Sequence, residues 1–122
     1  MTDKKKLTVF FGAAIQGAQN REERSEIHRR LIAAIKTFGC QVLSEHTGGA
    51  DFDKTAALME SSIGPLPEKG KERTVHIRNE MIRQIESDID AAVFEVSTPS
   101  LGTGIEIAHA ICVHVFHCRK SP

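Results

Sequence analysis

Glu106 is the residue whose type and position most directly offer chemistry. It closes the segment Thr103-Gly104-Ile105-Glu106, at the predicted start of a helix that follows an apolar strand. A carboxylate near a helix N-terminus is kept ionised by the helix dipole and can act as a nucleophile. The same segment also fits a T-x-x-E capping box, which needs no further function. The spacing alone leaves both interpretations open.

A loop of small residues, from Gly12 to Ala18, offers a second kind of chemistry. It follows the apolar run Leu7–Phe11 and precedes a predicted helix. Small residues let backbone N–H groups approach an anion, so the loop could cradle a phosphate. It matches neither the Walker A pattern nor G-x-G-x-x-G. A tight strand-to-helix turn is therefore the alternative interpretation.

The elements that must position these segments begin as a strand, a helix and a second strand. Residues 7–11 and 41–44 have the β-branched and apolar composition of strands, and residues 21–38 have helical periodicity. Gly39 stands where a left-handed helix C-cap is expected. The predicted apolar face of the helix carries Ile27, Leu31, Ile35 and Phe38. This βαβ order predicts parallel strands with a right-handed crossover.

The second half of the chain predicts further elements. In order, they are a short helix over 51–61, a breaker-rich loop over 63–70, a helix over 71–88, a strand over 91–96, a turn over 97–102, a helix over 103–110 and a strand over 111–118. We expect one domain over residues 1–122. Its fold class is α/β, with a flavodoxin-like or Rossmann-like parallel sheet of about five strands and helices on both faces.

Three segments follow the predicted carboxyl ends of strands: the loop from Gly12, the pair Glu45-His46, and the turn Ser97–Gly104. Ligands of open parallel sheets bind at that edge. The sequence therefore predicts a binding site formed where these three segments converge.

Composition excludes several classes of function. Lys and Arg number 16, and Asp and Glu also number 16, so the net charge is zero. Nonspecific binding to nucleic acid and polybasic attachment to membranes both need a basic surface. No run is long enough to cross a membrane. Three cysteines and a charged N-terminus without a signal-like segment favour a reduced, cytoplasmic protein, with the nucleus as the alternative.

No cofactor or metal is predicted. Near the end of the chain, His114 and His117 stand between Cys112 and Cys118. On the predicted strand the two histidines would point to opposite faces, and no paired ligand framework is present.

Three segments resemble the nucleoside 2-deoxyribosyltransferase family: Val9–Gly17, Leu43–His46 and Phe94–Ile107. The last is the most specific, because it carries the whole pattern E-V-[ST]-x-P-S-x-G-x-G-x-E. The most similar branch is that of the 2′-deoxynucleoside 5′-monophosphate N-glycosidases. The resemblance covers residues 7–112, with a poorly matched middle.

This resemblance implies a role for particular residues and favours the nucleophile interpretation of Glu106. Ser100 would bind the 5′-phosphate, and a helix carboxylate near Arg78-Asn79-Glu80 would assist the sugar and the leaving base. The alignment does not decide between Asn79 and Glu80; we take Glu80 as the second catalytic residue. The implied substrate-binding residues are Gly12, Ala14, Ile15, Gln16, Gly17, His46, Asn79, Ser100 and Gly102.

The implied activity is hydrolysis of a deoxynucleotide to free base and deoxyribose 5-phosphate by a homodimer. Phe10 replaces a common tyrosine of the family, Gln16 replaces an arginine, and the chain ends before the family's usual end. The alternatives are therefore transfer of deoxyribose between bases, a phosphoribohydrolase of ribonucleotides, and a nucleotide-binding protein with little or no catalysis.

Overall fold

The computed structural model describes residues 6–14, 21–43, 48–49, 52–68 and 70–116. In these ranges three strands form one parallel sheet in the order β2-β1-β3. They are β1 (Thr8–Ala13), β2 (Gln41–Leu43) and β3 (Ala91–Glu95). The helices are α1 (Arg21–Thr37), α2 (Phe52–Ile63), α3 (Lys71–Glu86) and α4 (Leu101–Ala110). The α/β class and the parallel pairing of β1 with β2 are confirmed.

The two faces of the sheet are covered by different helices. Because side chains alternate along a strand, neighbouring residues of β1 enter different cores. Phe11 packs with Ile32 of α1 on one face. Phe10 packs with Met81 and Ile85 of α3 on the other face. This arrangement confirms helices on both faces of the sheet.

The predicted apolar face of α1 is partly wrong. Leu31 is 37% exposed and Phe38 is 84% exposed, whereas Ser25, His28 and Ile32 are buried. Two polar residues can occupy the buried face because both are hydrogen-bonded: Ser25 donates to a backbone carbonyl in α1, and His28 contacts a carboxylate of β3. Gly39, beyond the end of α1, has φ +80°, which confirms the predicted left-handed position.

The predicted strand over residues 111–118 is wrong where the structure describes it. Ile111–Phe116 continues α4 as a π-helical segment. His114 donates a ring N–H to the carbonyl of Ile85, near the end of α3, so a tertiary contact holds the segment on a helix rather than on the sheet. The described sheet therefore has three strands, not about five.

Candidate active site

The carboxyl ends of β1 and β3 lie side by side. Ala13, the last residue of β1, pairs with Glu95, the last residue of β3. The backbone after β1 continues through the buried Ala14, and the turn after β3 leads into α4. The predicted site residues Ile15, Gln16, Gly17 and His46 lie outside the described residues.

Ser100 is the N-cap of α4. Its hydroxyl oxygen accepts a hydrogen bond from the backbone N–H of Thr103 at 3.3 Å. The helix therefore begins three residues earlier than predicted, and Thr103 is a buried residue inside it. This corrects the capping-box interpretation, because Thr103 is not the cap and Glu106 is not at the third helical position. Glu106 thus lies beyond the positions at which a side chain caps the helix.

Glu106 is a buried carboxylate, 8% exposed, on the side of α4 that faces α3. Its Oε1 lies 3.4 Å from Nη1 of Arg78, a residue of α3. Burial raises the pKa of Glu106, and the charge of Arg78 and a hydrogen bond from it lower the pKa part of the way back. A buried carboxylate with one cationic partner is a frequent feature of functional sites.

Arg78 also contacts the start of α4. Its Nη1 donates to the carbonyl oxygen of Gly102 at 3.2 Å. A Cβ atom at Gly102 would lie only 2.3 Å from Nη2 of Arg78. Glycine at this position therefore lets the guanidinium approach the helix.

Gly12 is a packing position in the described structure. A Cβ atom there would lie 2.6 Å from Cδ1 of Phe94, in the ring that covers the neighbouring strand. The missing side chain therefore makes room for an aromatic side chain of the core. The predicted approach of the Gly12 backbone to a ligand stays a prediction.

The two alternatives for the second helix residue have different surroundings. Glu80 forms an ion pair with Arg83, with Oε2 and Nη2 2.8 Å apart. Two positions along an α-helix turn the side-chain direction by about 200°, so Arg78 and Glu80 project from different faces of α3. Asn79 instead lines a surface cavity.

This cavity lies between α3 and the loop that precedes it. Its volume is about 420 Å³, and its lining residues are Pro67, Lys71, Glu72, Val75, His76 and Asn79. Arg73 donates from Nε to the carbonyl of Pro67 at 2.7 Å, which fastens the loop to the helix. The buried Nε2 of His76 has no hydrogen-bond partner. The cavity can thus offer an imidazole and an amide to a polar ligand.

Sequence reasoning missed the buried pair formed by His28 and Glu95. Nε2 of His28 lies 3.0 Å from Oε2 of Glu95, and Oε1 of Glu95 accepts from the backbone N–H of Ser97 at 2.8 Å. Burial raises the pKa of Glu95, but hydrogen bonds from Ser97 and His28 outweigh it, so the pKa lies below its usual value. Glu95 belongs to the motif that carries the resemblance, and this was the available signal.

Within the described ranges, no three His, Cys, Asp or Glu side chains gather as they would around a metal ion. His117 and Cys118 lie outside those ranges. The argument that His114 and His117 point to opposite faces fails, because His114 lies in a helical segment. No helix in the described part of the chain is both long and apolar enough to cross a membrane.

Comparison with known proteins finds similarity to one group of hydrolases. The chain is 28% identical over 106 residues to 5-hydroxymethyl-dUMP N-hydrolase of Tetraodon nigroviridis, covering 86% of this chain and 63% of that protein. It is 31% identical over 104 residues to 5-hydroxymethyl-dUMP N-hydrolase of Homo sapiens, covering 84% and 50%. The protein of that name from Rattus norvegicus is 26% identical over 106 residues, covering 87% and 55%.

These similarities confirm the resemblance inferred from the motifs. No protein-family model matches the chain. The chain spans between half and 63% of the lengths of these three relatives.

Proposed function

We propose that this chain hydrolyses the N-glycosidic bond of 2′-deoxynucleoside 5′-monophosphates, with Glu106 as nucleophile. The observation that carries the proposal is the buried Glu106 carboxylate on α4, paired with Arg78 and preceded by the serine-capped turn. Similarity to 5-hydroxymethyl-dUMP N-hydrolases, whose named substrate is a deoxynucleoside monophosphate, supports the substrate class.

The reaction requires a carboxylate beside C1′. As the bond from C1′ to the base nitrogen breaks, positive charge develops on the sugar, and an adjacent carboxylate stabilises it. In the proposed mechanism an oxygen of Glu106 bonds to C1′, and the base leaves with the bonding electrons and receives a proton. Water then attacks C1′ and releases Glu106, giving deoxyribose 5-phosphate.

The start of α4 is the proposed phosphate site. Ser100 uses its hydroxyl oxygen to accept from Thr103, so its own O–H remains a donor that can reach a phosphate oxygen. Backbone N–H groups of a first helical turn attract anions through the helix dipole. We assign the loop from Gly12 through Gly17 to the other side of the phosphate and sugar, as the family resemblance implies.

The leaving base is assigned to the side of α3. Asn79 lines the cavity and has an amide that can hydrogen-bond a base, but an amide does not act as a general acid. Glu80 can supply a proton, but in the described structure its carboxylate is held by Arg83. We therefore retain Glu80 as the proposed acid and Asn79 as a proposed base contact.

A base-release assay tests this proposal. Wild type and Glu106→Gln are incubated with a deoxynucleoside monophosphate, and the free base is measured. The substitution removes the attacking charge but nearly preserves shape, so turnover should fall by roughly 10³ or more. Glu26→Gln, an exposed change on α1, is the matched control and should have wild-type turnover. Equal activity of wild type and Glu106→Gln would overturn the nucleophile assignment.

The same assay separates the alternatives. Formation of a new nucleoside when a second base is added would identify a transferase. Preference for a ribonucleotide would identify a phosphoribohydrolase. Tight binding of the deoxynucleotide without any release of base would identify a nucleotide-binding protein.

We further propose that the chain forms a homodimer in the cytoplasm. The exposed apolar residues on α4 and its continuation support the assembly: Leu101, Ile105 and Ile111. Cys40 and Cys112 carry free thiols, as expected in a reducing compartment.

A further inference from the structure

Arg78 bridges one full turn of α4 from the neighbouring helix. Its Nη1 lies 3.4 Å from Oε1 of Glu106 and 3.2 Å from the carbonyl oxygen of Gly102. The two partners are four residues apart, which places them one above the other on the same side of α4. The guanidinium is thus held by a neutral acceptor at one end of the turn and by the carboxylate at the other.

Gly102 makes this bridge sterically feasible. A methyl group in place of its hydrogen would lie 2.3 Å from Nη2 and 3.3 Å from Cζ of Arg78. Real Cβ atoms do not approach so closely, so the guanidinium would have to move. Because the obstructed atoms are at the end of a flexible side chain, the helix itself need not be disturbed. Gly102 therefore acts on Glu106 through Arg78.

The other charged groups near Glu106 are committed elsewhere. On α3, Glu86 pairs with His109 of α4 at 2.8 Å, and Glu80 pairs with Arg83. On β3, Glu95 contacts His28 on the opposite face of the sheet, and β1 has no titratable side chain. In the segment after α4, His114 donates to a backbone carbonyl. Among the described residues, Arg78 is the charged side chain that contacts Glu106.

We propose that Arg78 is the positioning residue of the nucleophile: held beside α4 by Gly102, it orients the Glu106 carboxylate and keeps it ionised. The proposal rests on the proposed function of Glu106. Burial raises the pKa of Glu106 and Arg78 opposes that rise, which agrees with the geometry. With 36% of its side chain exposed, Arg78 lies at the rim, where it can orient Glu106 while leaving access to substrate.

A positioning cation beside this nucleophile has a characteristic pH signature. Ionised Glu106 is the attacking form, so loss of Arg78 reduces the active fraction most at low pH. At high pH Glu106 is ionised without help, and a cation there only opposes the positive charge that develops on the sugar. The loss of activity should therefore shrink as pH rises. A merely structural arginine would cause the same loss at every pH.

The first experiment compares pH profiles of kcat/KM for base release. Arg78→Met should lower kcat/KM roughly tenfold on the acidic limb and leave it within about threefold of wild type at alkaline pH. Arg78→Lys keeps the charge and should recover part of the acidic activity. Arg30→Met removes an exposed arginine of α1 and should leave the profile unchanged. A uniform loss at all pH values in Arg78→Met would overturn the proposal.

Gly102→Ala supplies an independent variant that leaves Arg78 in the chain. It should shift the acidic limb in the same direction as Arg78→Met. Because both changes act through one contact, the double variant should lose no more than the stronger single variant. Additive losses would contradict a shared route through Arg78. Thermal melts of each variant establish that the protein is folded.

A titration that does not depend on activity completes the test. Carboxyl-carbon NMR of protein labelled at glutamate, with Glu106→Gln used to assign the resonance, follows Glu106 directly. In Arg78→Met the titration should move to higher pH. If the wild type released no base, the proposed function would fail, while this titration would still test the pairing. An unmoved titration would overturn the role of Arg78 whatever the activity.

Discussion

At the scale of single residues, Ser100 combines two roles that can be separated by substitution. Its side chain caps α4, and the same residue is the proposed phosphate ligand. Ser100→Ala removes both, and the lost cap alone costs about 1 kcal/mol of stability. Ser100→Asp retains a good cap but places a negative charge beside the phosphate. The aspartate variant should therefore keep its stability and lose phosphate binding.

The measurements are thermal unfolding and KM for a deoxynucleotide. In Ser100→Asp, KM should rise by about tenfold or more because like charges are brought together. The corresponding deoxynucleoside, which lacks the phosphate, is the control ligand and should bind wild type and variant equally. An unchanged KM for the nucleotide would remove Ser100 from the phosphate site.

Glu106 illustrates which part of a site a sequence can predict. Its type and its place near a helix start were readable from a short segment. Its partner was not, because Arg78 is distant in the chain and meets it only when α3 packs against α4. The capping-box interpretation failed for a related reason: a serine three positions earlier caps the helix instead. Local spacing predicts elements, whereas tertiary packing selects the contacts between them.

At the scale of elements, Glu95 fastens α1 to the end of β3 and to the turn that follows. Its carboxylate contacts His28, which is 1% exposed, and accepts from the N–H of Ser97. Because its pKa is lowered in the folded protein, Glu95 contributes stability above the usual glutamate pKa of 4.5. That contribution is lost as pH falls through the lowered pKa.

Glu95→Gln should therefore lower the free energy of unfolding at pH 7 by about 1–2 kcal/mol, the range for hydrogen bonds to charged groups. The difference from wild type should narrow as the pH falls below 4.5. Urea unfolding at a series of pH values measures both effects. Glu26→Gln, on the exposed surface of α1, should track wild type throughout. A difference that is constant with pH would show that the carboxylate charge is not responsible.

The elements themselves were largely predictable, and the exceptions have physical causes. Strong apolar runs and helical periodicity predicted β1, β3 and α3 within a few residues. The segment after α4 was wrong because alternating valines and histidines do not distinguish a strand from a helix over so few residues. Contact with the end of α3 decides its conformation. The buried face of α1 was misjudged because His28 is satisfied by a residue of β3.

At the scale of the whole molecule, the described surface has an apolar face without a described cover. Leu101 is 82% exposed, and Ile105 and Ile111 are 43% and 44% exposed along the same helical segment. Contiguous apolar surface of this kind marks interaction sites. A helix face that packs against its own copy about a two-fold axis buries both faces at once. The proposed homodimer uses this face, next to Ser100 and Glu106.

The proposed dimer predicts a measurable mass and its loss. Light scattering at micromolar concentration should give twice the chain mass of 13.4 kDa for wild type. Leu101→Glu combined with Ile111→Glu places charge in the interface and should give the monomer mass, because unpaired charges are costly to bury. Phe38→Glu is the matched control: Phe38 is equally exposed but lies beyond the end of α1, and its change should leave the dimer intact. A monomeric wild type, or equal dissociation of the control, would show that α4 is not where two copies meet.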